Sequence, residues 1–327
     1  MMDGDLRRAK ISVNAAFFAN GLNVGHWAPK IPVMVERLGI SEAALGQLII
    51  LFGVGALVAL IGGAWLVTKI GSVLVIRWTS ILLAPSLVLI TLAPSVFVTA
   101  LCLIWLGIFL GAMDNAMNAN GVAVEVALDR PVMSSYHAWW SVGGVVGGLT
   151  GGALIVWFGE LGHAVIVMLI TLMVALWAWP GYMPDDNMDA KFEAEREIAE
   201  VKSGSFGLPK SVGIYILGVV TMLSFAPEGT IIDWSALYLK NELASPLIVS
   251  GYAVAAFSAT MALMRFAGDG IRSHFGDRKT FIVSAAVAAL GMLIGGVAND
   301  FYTACFGFLS RGFGYGQCGA CVVFRSG

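Results

Sequence analysis

The sequence predicts an all-α polytopic membrane protein. Three observations carry that expectation: the composition, the recurrence of long apolar stretches, and the sidedness of the cations. Of 327 residues, 58% are apolar or aromatic and 12% are charged, and the mean hydropathy is +0.84. Soluble domains run at about 45–50% apolar and roughly 25% charged. An ordinary soluble enzyme and a disordered chain are thereby excluded. With 19 basic against 21 acidic residues there is no basic surface for nucleic acid, and no nucleic-acid partner is expected. The 40 glycines suit closely packed membrane helices. Four cysteines make no disulfide framework.

Ten apolar stretches follow in order: residues 10–32, 43–67, 72–93, 96–123, 134–157, 161–181, 210–238, 247–267, 280–298 and 300–320. Each approaches the roughly 20 residues needed to cross the hydrocarbon. The first is no signal peptide, because Asn14, Asn20, Asn23, His26 and Lys30 interrupt it and no small-residue cleavage site follows. With the N-terminus cytoplasmic, fourteen Lys and Arg fall on the inner side, Arg265 among them, and only Lys30, Arg37 and Lys240 fall outside. That is a strong positive-inside bias. Residues 182–209 form the one long polar stretch, with a short surface helix expected over Met188–Val201. The chain therefore divides into a six-helix bundle over residues 1–181, a cytoplasmic linker over 182–209, and a partial second bundle over 210–327.

The two parts echo each other. Gly63-Ala-Trp-Leu-Val-Thr-Lys-Ile-Gly71 follows the second span, and Gly268-Asp-Gly-Ile-Arg-Ser-His-Phe-Gly276 follows the eighth. In the first and seventh spans, Gly21 to Trp27 faces Gly229 to Trp234. Landmarks at nearly equal spacing argue for a duplicated unit, as transporter folds often have.

This arrangement resembles the major facilitator superfamily. Its fold has six spans, a cytoplasmic linker and a related second set, with a glycine-rich basic loop after the second and eighth helices. The loop acid of that family is missing from the first copy, where Thr68 or a neighbour stands, while Asp269 offers one in the second. The resemblance implies twelve spans, of which this chain carries about ten. The end of the chain, residues 306–327, shifts in composition and holds Cys318 and Cys321, so it reads as a truncated or frame-shifted product.

Charged groups cost about 2.5–3.5 kcal/mol at a helix centre on insertion scales, so they are expected to border a cavity or the bundle interior. The fourth span carries the densest patch, Asp114-Asn115-Ala-Met-Asn118-Ala-Asn120, with Glu125 beyond. Asp114 and Asn118 share a helical face. They read either as a cavity wall, with an acid that exchanges a proton and amides for a solute, or as interhelical hydrogen bonding. This patch is similar to the fucose-permease-like branch, whose helix four carries an acid, then small residues and Asn. By that resemblance Asp114 stands where the branch has Glu, and Asn118 matches its Asn. The branch has Gln near His137. Its sugar–proton symporters also carry an acid in helix one, where this chain reads Ala19-Asn20-Gly21-Leu22-Asn23. By that resemblance the chain groups with uncharacterised bacterial inner-membrane members of the branch rather than with its sugar permeases.

Three other spans supply candidates. Asn20, Asn23 and Trp27 share a face of the first, and His26 is a candidate proton carrier, since histidine titrates near neutrality, or a simply hydrogen-bonded histidine at a span end. Trp27 and Lys30 also fit interface anchors. In the fifth span His137 and Trp140 offer a hydrogen-bonding group and a stacking face, or part of an aromatic belt. Glycines 143, 144, 147, 148, 151 and 152 form a packing face. The seventh span breaks at Pro227-Glu228-Gly229 and carries Asp233-Trp234, where transporter cavities tend to lie.

The expected function is a secondary active transporter of a small polar solute, sugar-like or another small metabolite, working by alternating access. Asn20, Asn23, Trp27, Asn115, Asn118, His137, Trp140 and Trp234 are the solute-binding candidates. Asp114, Glu228, His26 and Asp233 are the candidates for coupling to protons. The alternative is a non-transporting sensor or inactive pseudo-transporter on the same scaffold. No enzymatic signature, nucleotide loop or metal-ligand spacing is present, and no cofactor is expected. The expected partners are the solute, protons and the lipid bilayer, and the expected state is a monomer in the bacterial inner membrane.

Overall fold

The computed structural model describes residues 3–185 and 212–323 and is all-helical there. The expected helix over Met188–Val201 lies outside the described residues, as do the side chains of Asp269, Arg272, Cys318 and Cys321. The helices are α1 (Asp3–Leu38), α2 (Glu42–Ile70), α3 (Ser72–Leu83), α4 (Ser86–Leu92), α5 (Val96–Leu128), α6 (Met133–Ala178), α7 (Val212–Asn241), α8 (Tyr252–Phe275), α9 (Asp277–Gly296) and α10 (Phe301–Val323). Six helical stretches among the described residues are long and apolar enough to cross a membrane: Glu42–Ile70, Ser72–Leu92, Val96–Leu128, Met133–Gly181, Leu247–Ala267 and Lys279–Gly296. Many large apolar side chains on α2, on the second half of α6 and on α9 face outward, including Ile61, Trp65, Trp177 and Leu293. That pattern fits helices whose solvent is lipid.

Several boundaries differ from the sequence reading, for identifiable reasons. The first helix runs to Leu38, through Pro29 and Pro32, rather than ending near residue 32. Lys30 and Arg37 are therefore helical residues, not loop cations. Glu160 makes this possible, accepting from Lys30 at 3.0 Å and lying 3.2 Å from Arg37 Nε. Arg37 also donates to the carbonyls of Ala93 and Ile90 at 2.7 Å each, which ties α1 to the end of α4. Likewise α8 continues past residue 267 to Phe275, so Arg265 lies well inside a helix rather than at the inner end of a span.

At 46 residues α6 would extend about 69 Å, more than twice a hydrocarbon core of about 30 Å. It breaks at Gly159, whose φ of 74° and ψ of 171° no helix contains. Its first half ascends alongside α1, where Gly143 abuts Phe18, Gly147 abuts Gly25, and Gly151 abuts Pro29. Its second half descends, where His163 meets His26, Thr171 meets Asn23, and Gly181 meets Ser12. The two halves thus form a hairpin astride α1. "Upper" denotes here the end at which α1 and α7 finish.

The paired glycines of α6 serve two neighbours at once. Residues 143, 147 and 151 meet α1, while Gly144 meets Ser258, Gly148 meets Gly251 and Ala255, and Gly152 meets Leu247 and Ile248. Adjacent positions on a helix point about 100° apart, so one run of doublets gives two small-residue stripes. Side chains there would hold the backbones apart.

The repeated loop glycines adopt one conformation. Gly71 has φ 85° and ψ 155°, and Gly276 has φ 77° and ψ 154°. Near Gly71 the missing acid is supplied from elsewhere. Asp185 accepts from the Ser72 and Val73 amides at 2.8 and 3.2 Å and from the Ser72 hydroxyl at 2.5 Å. This carboxylate caps the N-terminus of α3, where the helix dipole and unsatisfied amides favour an anion. Thr68 only bonds back to Trp65. Asn120 ties the same corner to the Ser72 hydroxyl and the Met183 carbonyl.

Buried apolar residues fall into two clusters. One gathers α1 to α6 with Leu237, and the other gathers α7, α8 and α10 with Ala28.

Candidate functional site

A cavity of about 410 Å³ lies between these clusters, within the range of small-molecule sites. Asn20, Asn23, Val24 and Trp27 line it from α1, and Phe52 and Ala56 from α2. Leu106, Leu110, Gly111 and Asp114 come from α5, His137 and Trp140 from α6, Glu228, Ile232 and Asp233 from α7, and Arg265 from α8. Polar groups from five helices thus face one space in an otherwise apolar chain, and α2 closes it with apolar side chains.

The α1 wall is held by amides. Asn20 donates to the Leu110 carbonyl at 3.1 Å and accepts from the Trp140 indole at 2.9 Å. Asn23 donates to the Ala19 carbonyl and to Thr171, at 2.9 and 3.0 Å. One side-chain amide thereby fixes the ring of Trp140 in the cavity, leaving its face for other contacts.

Across the cavity, α5 brings Asp114 and α7 brings Glu228. Pro227 lies one residue before Glu228 and removes a backbone donor from α7. Asp233 stands one turn higher and accepts from the Trp27 indole at 2.9 Å. This bond joins α1 to α7. Above it, Lys240 pairs with Glu36 at 2.6 Å, joining the same two helices at their ends. That ammonium holds the Glu36 carboxyl below the usual carboxylate range.

Of the residues singled out in the sequence, Asn20, Asn23, Trp27, Asp114, His137, Trp140, Glu228 and Asp233 line the cavity. Four others do not. Asn115 turns to α2, donating to the Ala59 carbonyl at 2.8 Å. Asn118 donates to the Asp114 carbonyl one turn back, at 2.9 Å. Trp234 packs beside Gly46 of α2. His26 is buried against His163, ring nitrogens 3.1 Å apart, on the side of α1 away from the cavity. Glu125 accepts from the Val132 and Met133 amides at 2.6 and 2.8 Å, which caps the start of α6.

The sequence reading missed Arg265. Arg265 falls within the 247–267 stretch, two residues from its end, and was weighed only as an inner-side cation. A charge inside an apolar window was itself the signal that could have marked it. The same reading also missed His163, although a histidine inside the 161–181 stretch breaks the apolar pattern, and Glu160, which falls between two stretches. Their partners lie 137 and 130 residues away.

Comparison with known proteins agrees with this architecture. The chain is 30% identical over 305 residues to an uncharacterised MFS-type transporter of Yersinia pestis, covering 93% of this chain and 77% of that protein. It is 28% identical over 312 residues to membrane protein MosC of Rhizobium meliloti, covering 93% and 73%. Among solved structures, a D-xylose-proton symporter superposes with a TM-score of 0.71 at 12% identity, covering 96% of this chain and 81% of that one. The nucleoside transporter NupG superposes with a TM-score of 0.65 at 14% identity, covering 96% and 80%. These two likenesses establish the fold alone. The family model of the Major Facilitator Superfamily matches residues 13–324, and with the helical architecture and shared cavity already described, the chain belongs to that superfamily of membrane transporters.

Proposed function

We propose that the chain is a secondary transporter that carries a small polar solute through the cavity by alternating access. Helices α1–α6 rock against the set that begins with α7, and residues 182–209 link the two. Together the halves of α6, the pair α3–α4 and the remaining helices make ten spans. The cation distribution supports a cytoplasmic N-terminus in an inner membrane, which makes the upper end the outer one. A single protomer contains every group that lines the cavity.

One observation carries this reading. Asp114 and Glu228 come from different helix sets and face one cavity, rather than lipid or separate walls. Solute contacts fall to Asn20, Asn23, Trp27, His137 and Trp140. Proton exchange falls to Asp114, Glu228 and Asp233. The Trp27–Asp233 and Glu36–Lys240 bonds close the upper end and break when it opens. Likeness to a D-xylose-proton symporter supports a hydroxylated solute and proton coupling.

The test needs no known solute. A cysteine at Ala56 in the cavity wall is labelled with a membrane-impermeant maleimide in vesicles of each orientation. Labelling from both faces is expected. Labelling from one face only, under every condition of pH and voltage tried, rejects alternating access.

A further inference from the structure

Arg265 reaches the cavity from α8, yet its charge has no carboxylate within ion-pair distance among the described residues. One terminal nitrogen, Nη1, donates to the His137 carbonyl at 3.1 Å and to the Ser141 hydroxyl at 2.8 Å. The guanidinium carbon lies 5.9 Å from the centre of the Trp140 ring. Trp140 is itself fixed by Asn20. The protein thus spends one nitrogen and one face of the group on holding it still. No described protein acceptor takes up Nε or Nη2.

A guanidinium offers five N–H donors in a rigid plane. Its free edge matches the two oxygens of a carboxylate, which answer two donors together and balance the charge. A hydroxyl answers one donor and leaves the charge unbalanced, and an ammonium is repelled. A dianionic phosphate would face one cation and the three acids Asp114, Glu228 and Asp233. A monoanion matches the single arginine. The acids of α5 and α7 confine that anion to the Arg265 side and accept from hydroxyls on the rest of the molecule.

Resting on the transport reading above, we propose that the solute carries a carboxylate, which docks on the free edge of Arg265. Its hydroxyl-bearing body lies against Trp140 and points toward Asp114 and Glu228. The ligand class is thus a hydroxylated monocarboxylic acid, such as a sugar acid, rather than a neutral sugar or an amine.

The experiment uses the full chain, purified in detergent, and three probes on one ring: glucuronate, glucose and glucosamine. Affinity is read from thermal shift and tryptophan fluorescence. Glucuronate is expected to bind best, and Arg265→Gln to weaken it about tenfold or more. Arg265→Lys keeps the charge without the planar fork and is expected to weaken glucuronate about fivefold. Three results overturn the proposal. Glucose or glucosamine binds as well as glucuronate, or glucuronate does not bind at all, or glucuronate keeps its parental affinity in Arg265→Gln. Should the Gln variant fail to fold, parental affinity in Arg265→Lys overturns it equally. None of these outcomes bears on two-face labelling at Ala56, so failure of the ligand class and failure of transport are separable.

Discussion

The glycine doublets of α6 allow the two sets of helices to be perturbed separately with a single methyl group. A Cβ on Gly148 would stand 2.7 Å from the Gly251 carbonyl oxygen and 2.9 Å from the Ala255 amide, where ordinary contact begins at 3.4 Å. Both obstacles are backbone of α8, so no rotamer change relieves them. A Cβ on Gly147 would stand 2.7 Å from the Gly25 carbonyl carbon and the His26 amide, which are backbone of α1. Overpacking of this kind costs about 1–3 kcal/mol. In Gly148→Ala the cost falls on the state in which α6 and α8 are pressed together. An opening that separates them removes it. A bias of about 1–3 kcal/mol between two states is a shift of roughly 5–150-fold in their ratio. In Gly147→Ala the methyl lies inside the first set and clashes in both states, so stability falls and the ratio stays. The assay is the labelling of the Ala56 cysteine from the upper face, paired with thermal unfolding. Gly148→Ala is expected to raise upper-face labelling about tenfold with a modest loss of Tm. Gly147→Ala is expected to lower Tm with parental labelling. The reverse assignment, or equal effects of the two, refutes the division of the glycine run into an α1 stripe and an α8 stripe.

Three further outcomes are expected. Lys30→Met removes a cation that is fully buried beside Glu160 and Thr91. Breaking a buried pair from one side costs about 3–5 kcal/mol, and Arg37 offsets part of it, so thermal unfolding should show a loss near the low end; a change within about 0.5 kcal/mol would mean that Glu160 is served by Arg37 alone. Gly71→Ala and Gly276→Ala both place a side chain at positive φ, for a strain of about 1–2 kcal/mol each. Gly71→Ala also drives a methyl onto the Asp185 carboxylate, whereas no atom of the described residues lies near the Cβ position of Gly276, so unfolding should show Gly71→Ala as the costlier. Finally, the Glu36 carboxyl is held below its ordinary value by Lys240. A depressed folded value means that its contribution is present above the unfolded value of about 4.3 and is lost as pH falls through the folded one. Upper-face labelling should rise in that acid window, and Glu36→Gln should remove the step.

Much of the site was legible because its residues break a local rule. Asn20, Asn23 and Asp114 stand in windows that are otherwise apolar, and Pro227 stands beside Glu228, although the expected break is absent and α7 runs through Pro227 as one helix. Each anomaly is visible without knowing any neighbour. The azimuth within a helix was harder to read. Asn115 and Asn118 share the Asp114 patch but turn to α2 and to their own backbone, because a helix wall has more than one neighbour and short amides take the nearest carbonyl. His26 breaks the same rule, yet its face of α1 belongs to the second half of α6. That half reaches it only because Gly159 turns the chain back.

Composition and spacing, read alone, determined that this chain is helical, that it lives in an apolar solvent, and that its loop glycines recur. Those properties follow from the cost of transferring each residue from water, which is local and additive along the chain. Only the tertiary structure decided which charges are matched. Lys30 finds Glu160 at 130 residues' separation, Ser72 finds Asp185 at 113, and Arg265 finds Ser141 at 124 while keeping its outer edge open. An ionic group in a low-dielectric interior is stable only where a partner sits within a few ångströms, and that distance is a property of packing.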